Sequence, residues 1–133
     1  GEGATALFEV KVKGADSVEA AKVLAKSIAC SNLTKTAIAG HDANWGRIVC
    51  AMGYSGAQFD PEKVDLFFES KAGKIQIAED GVALDFSEEK ATEILSQPEV
   101  TAIADVKMGD AEATAWGCDL THGYIEINAD YRS

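Results

Sequence analysis

Within the first thirty residues the apolar spacing changes from every second residue to every third or fourth, which calls for a strand followed by a helix. Residues 5–13, TALFEVKVK, largely alternate: Phe8, Val10 and Val12 on one face, Glu9, Lys11 and Lys13 on the other. Gly14 is expected to end this half-buried strand. Asp16 or Ser17 can cap the segment that follows, and Glu19 places a carboxylate in its first turn. Val18, Ala21, Leu24, Ala25 and Ile28 then trace a helical stripe to about Cys30.

The pattern continues as an α/β (α+β) chain. Residues 34–40, TKTAIAG, read as a short strand, and a helix is expected from about Asn44 to Gly53, where Trp45, Ile48, Val49 and Met52 share a face. Strands are expected at 63–69, 74–78 and 81–85, and a short helix opens at Ser87 and stops before Pro98. Residues 100–108 alternate, Gly109-Asp110 suits a hairpin turn, and strand-like runs at 112–120 and 124–131 follow. The reading is three sequential antiparallel strands, and helices on one side of a mostly antiparallel sheet. No repeat or linker divides residues 1–133, so a single domain is expected.

Composition narrows the function classes. The net charge of −10 repels phosphate backbones and disfavours nucleic acid. It could attract a cationic small molecule, but solvated acidic faces are the favoured account of it. No apolar run is long enough for a membrane-spanning helix. The start lacks a signal-peptide pattern and a Met, which reads as a chain beginning in mid-protein. Cys30, Cys50 and Cys118 form no CxxC pair, and all three read as small buried hydrophobes. No phosphate-loop, dinucleotide or HExxH pattern occurs, so neither metal nor cofactor is expected. His41 and His122 stand alone in turns, where surface roles outnumber catalytic ones.

Four segments carry concentrated polar chemistry. Gly1-Glu2-Gly3-Ala4-Thr5 sets a carboxylate between glycines that permit close approach. His41-Asp42-Ala43-Asn44-Trp45-Gly46-Arg47 gathers polar groups at a helix start, where free N–H groups welcome an anion. Residues 109–116, GDAEATAW, and the terminal INADYRS complete the set. In this order, with GYSG after NWGR, they resemble the ornithine/glutamate N-acetyltransferases over essentially the whole chain. Ser133 stands where that family often has Thr, and Ala43 where Pro is also common.

The resemblance implies the C-terminal part of the β chain of a self-cleaving enzyme, within a layered αββα sandwich. It implies acetyl transfer from N-acetylornithine to glutamate, giving ornithine and N-acetylglutamate, through a threonine nucleophile and a ping-pong acetyl-enzyme. Acetyl-CoA as a further donor stays open. The nucleophile and oxyanion donors fall upstream, so no catalytic residue is expected here and the chain alone should transfer no acetyl. Substrate-binding roles carry over to Glu2, Asn128 and Ser133. The implied partners are the α chain, the remainder of the β chain and further copies in a higher oligomer. The implied location is the cytoplasm, or the mitochondrial matrix in a eukaryote. The alternatives are a non-catalytic amino-acid-binding or regulatory module, and a relative using another acyl donor.

Overall fold

The computed structural model describes residues 7–117 and the backbone of 125–128. Strand β1 (Leu7–Ala15) leads into helices α1 (Val18–Cys30), α2 (Asn32–Ala39) and α3 (Trp45–Gly53). A 3-10 turn at Pro61–Lys63 precedes β2 (Asp65–Ser70), β3 (Gly73–Glu79) and β4 (Val82–Ala83). Helix α4 (Glu88–Leu95) then leads to β5 (Glu99–Asp105), β6 (Ala111–Gly117) and β7 (Ile125–Asn128). The strands form one 7-stranded sheet in the order β4-β3-β2-β5-β1-β6-β7. Among the described strands only β1 and β5 pair in parallel; the other pairs are antiparallel.

All four described α-helices start where a serine or asparagine side chain takes an orphan N–H, α2 by Ser31. Ser17 accepts from Ala20, Asn44 from Arg47 and Ser87 from Lys90. Helix α1 lies over β1 and β6, α4 lies over β2 and β3, and α2 and α3 pack on α1. Phe8, Val10 and Val12 therefore meet Leu24, Ile28, Ile94 and Leu95 in one core, joined by Leu66, Phe68, Val100 and Ala115. The helices of the described residues cover a single face of a mostly antiparallel sheet, as the alternation predicts.

Four local readings need correction. Residues 34–39 belong to helix α2, with Gly40 as its C-cap, and are not extended. Ser31 ends α1 and caps α2 by accepting from Thr34 N–H, and Thr34, Ala37 and Ile38 bury one helical face. Packing on α1 overrides the extended preference of the threonines. Strand β1 runs through Gly14, which adopts φ 73° at a register shift between Val12 and Ala15. Residues 105–111 do not form a hairpin: β5 and β6 are both neighbours of β1, which lies between them. Finally, Cys30 and Cys50 are exposed. Each sits two residues after a buried isoleucine (Ile28 or Ile48), pointing off the buried stripe. Cys118 lies outside the described residues.

One end of the sheet is tied by Lys107, whose ammonium reaches Asp80 Oδ1 at 2.8 Å and Asp65 Oδ1 at 2.9 Å. The Asp80 N–H also donates to Asp65 Oδ1 at 2.9 Å, closing the knot. These contacts, the Asp80 bond foremost, hold the Lys107 ammonium well above the ordinary value of 10.5. The stabilisation is thus fully present below that value and is lost as pH rises through the raised one. Lys107→Met is expected to lower the melting temperature by a few degrees at most, because all three side chains touch water. The deficit should stay constant from neutral pH to about 10 and shrink in molar salt, as a melting series would read.

Candidate functional site

The His41–Arg47 segment proves to be a staple between α2 and α3. Asn44 accepts the Arg47 N–H at 3.1 Å and donates Nδ2 to Asp42 Oδ2 at 3.2 Å. Arg47 Nη1 reaches back to the Leu33 carbonyl at 3.1 Å. The helix N-terminus read as open to an anion is thereby partly closed by its own cap. His41 turns the chain at φ 59°, and its buried Nε2 has no hydrogen-bond partner among the described residues.

The helix-free face is built from the polar positions of the same strands. Glu9 on β1 is flanked by its register partners Thr101 on β5 and Trp116 on β6. Thr101 Oγ1 donates to Glu9 Oε1 at 2.8 Å, and Trp116 Nε1 donates to Glu9 Oε2 at 2.9 Å. One carboxylate thus binds three strands through two charge-assisted bonds. In the adjacent row Ile103 lies between its register partners Lys11 and Phe67 and is only 7% exposed. Lys74 caps the Phe67 ring at 5.0 Å from its centroid.

A cavity of about 500 Å³ opens beside this face, lined by Glu69, Lys71, Pro98, Glu99 and Thr101 among others. It lies where the chain enters the sheet, since Leu7 N–H donates to the Pro98 carbonyl at 3.0 Å. Among the described residues no group of three His, Cys, Asp or Glu side chains is placed to hold a metal ion. No helix there is long and apolar enough to cross a membrane.

Of the three residues singled out for substrate binding, Glu2 and Ser133 lie outside the described residues, as does the side chain of Asn128. The Asn128 backbone closes the edge strand β7, opposite Thr114 of β6. Strand β1, which Glu2 precedes, is separated from β7 by β6 alone. The described part therefore brings the strands that lead to Glu2 and Asn128 within two strand spacings but does not assemble the three side chains. Sequence reasoning missed the Glu9–Thr101–Trp116 cluster. Its signal was there, since all three occupy the polar phase of their strands, but their adjacency depends on the β1–β5 parallel pairing.

Comparison with known proteins places this architecture. A family model described as "ArgJ family" matches residues 1–133. A relative from Thermotoga neapolitana, named arginine biosynthesis bifunctional protein ArgJ, is 56% identical over 133 residues, 100% of this chain and 34% of its own length. One from Clostridium acetobutylicum, named arginine biosynthesis bifunctional protein ArgJ 1, is 52% identical over the same span and 33% of its length. The crystal structure of arginine biosynthesis bifunctional protein argJ from Bacillus halodurans superposes with a TM-score of 0.81 at 44% identity, covering 93% of this chain and 57% of that one. The chain spans about a third of the length of the curated relatives it matches. In sequence over all its residues and in fold over nearly all of them, this chain belongs to the ArgJ family.

Proposed function

We propose that the chain is the C-terminal third of an acetyltransferase of arginine biosynthesis, which moves acetyl from N-acetylornithine to glutamate and releases ornithine. The reading rests on identity near 50% over the full chain with relatives named arginine biosynthesis bifunctional protein ArgJ. Transfer runs through an acetyl-enzyme on a threonine upstream of Gly1, so the substrates meet in two half-reactions. Acetyl-CoA is a candidate second donor. The rest of the precursor completes the site and the oligomer.

Within this scheme Glu2 binds the substrate's ammonium group, and Asn128 and Ser133 hydrogen-bond its amino-acid end. Through Thr114 the Asn128 backbone stands level with Lys11, four residues into β1 from Leu7. Glu2 lies five residues ahead of Leu7, so covalent geometry keeps it within roughly 17 Å of that end of β1. Asn128 ends a strand one neighbour away from β6, which itself pairs with β1.

Glu2→Gln in the full-length enzyme keeps the shape and removes the charge. A charge-assisted bond is worth roughly 1.5–3 kcal/mol, so kcat/KM should fall about 10- to 150-fold. Asn128→Ala should cost a similar factor, whereas Ser133→Thr should be nearly neutral. Steady-state kinetics and a melting curve decide the matter. Unchanged kinetics in Glu2→Gln, or a loss no larger than the loss of folded protein, would remove Glu2 from the substrate site.

A further inference from the structure

The Glu9 clasp lies on neither the core nor the staple between helices, yet it joins the strands that lead to the substrate-binding residues. We infer that Glu9 and Trp116 are positioning residues that fix the Glu2-bearing and Asn128-bearing segments relative to one another. The inference rests on the roles proposed above for Glu2 and Asn128.

Three observations carry it. First, the sheet face around Glu9 has no helix over it among the described residues, so water could have solvated the carboxylate. It is instead held by two donors, from β5 on one side and β6 on the other, at 2.8 and 2.9 Å. Second, the β1–β6 ladder is irregular toward its far end, where the register shifts between Val12 and Ala15. The regular stretch that sets the stagger of β6 on β1 is the one that Glu9 and Trp116 cross. Third, β7 hangs on β6 through the pairs Trp116↔Glu126 and Thr114↔Asn128. Asn128 is thus two residues, or about 7 Å, along the strand from the level of the clasp. A shift of β6 against β1 therefore moves the Asn128 backbone against β1, the strand that Glu2 precedes, by the same amount. Misplacement of a binding group by about 1 Å can cost up to about 100-fold in rate.

The test uses the full-length enzyme with Trp116→Phe, which keeps a ring and loses the donor, and Glu9→Gln, which keeps the shape and loses the charge. Lys107→Met, at the other end of the sheet, serves as the stability control. We expect kcat/KM to fall about tenfold in both clasp variants, mainly through a higher KM for N-acetylornithine and glutamate. Thr101→Ser, which retains the hydroxyl, should keep normal KM values, and Thr101→Val should not. Melting temperatures should stay within a few degrees of the parent. Normal KM values in Trp116→Phe and Glu9→Gln overturn the inference, as does a loss that follows melting temperature along the same line as Lys107→Met. Should Trp116→Phe fail to fold, Glu9→Gln alone decides between these results. A strong effect of Glu2→Gln beside silent clasp variants removes the positioning role alone, whereas a silent Glu2→Gln removes the reading beneath it.

Discussion

Gly81→Ala is expected to destabilise the protein by roughly 3 kcal/mol or more, enough to show as a large drop in melting temperature. Gly81 adopts φ +77°, a region where an alanine is strained whatever the space around it. There is also no space. An added Cβ would press into the Pro61 carbonyl oxygen and come within 2.8 Å of Glu62 Cα. Backbone strain of this kind costs roughly 1–3 kcal/mol, and forcing an atom into packed backbone adds a comparable amount. The same turn is held from below, because Gly81 N–H donates to the Val64 carbonyl at 2.9 Å. The 3-10 turn and the start of β2 must therefore shift together to accept the methyl. Gly53→Ala provides the contrast: it sits at the end of α3 with nothing within 4 Å of its added Cβ. That change should be neutral or stabilise by up to about 1 kcal/mol. Equal melting temperatures for the two variants would show the packing around Gly81 to be wrong.

The neighbouring phenylalanines Phe67 and Phe68 should respond very differently to truncation. Phe68 is 1% exposed and faces the helices, within the cluster that includes Ile94 and Leu95. Its replacement by alanine leaves a cavity in the centre of the core and should cost about 3–5 kcal/mol. Phe67 points to the other face, where it is half-buried beneath Lys74 and beside Ile103. Its loss should cost about 1 kcal/mol, comprising modest apolar burial and an exposed cation–π contact. Chemical denaturation of both variants reads the difference directly. A Phe67→Ala penalty as large as that of Phe68→Ala would mean that something beyond residues 7–117 covers this face.

Which features could be read from residue order follows from the range of the interactions that make them. Caps act over three residues, so Ser17, Asn44 and Ser87 announced their helices. Strand alternation acts over two, so the inward face of β1 and β5 was visible in Phe8, Val10, Val12, Val100, Ala102 and Ala104. Helix α2 was misread because its threonines favour extended backbone in isolation, and only burial against α1 reverses that preference. Gly109-Asp110 has the residues of a hairpin turn, yet nothing local says that a strand from the start of the chain will occupy the slot it would close. The same nonlocal pairing creates the Glu9 cluster, whose members are up to 107 residues apart in sequence. For the candidate site, the named segments were legible as motifs.

The interior place of β1 also sets a schedule for synthesis. Phe8 pairs with Val100 on one side and Gly117 on the other, so both neighbours emerge from the ribosome after most of the chain. At translation speeds of about 5–20 residues per second, β1 waits on the order of 5–20 s with two unpaired edges. Helix α1 follows at once and can shade Phe8, Val10 and Val12, but it offers nothing to their backbone N–H and C=O groups. Those edges are open to other nascent chains until β5 and β6 arrive. Of the described strands β1 is made first yet keeps an open edge until β6 arrives, and ordered closure of the sheet depends on that edge staying free of other partners for that interval.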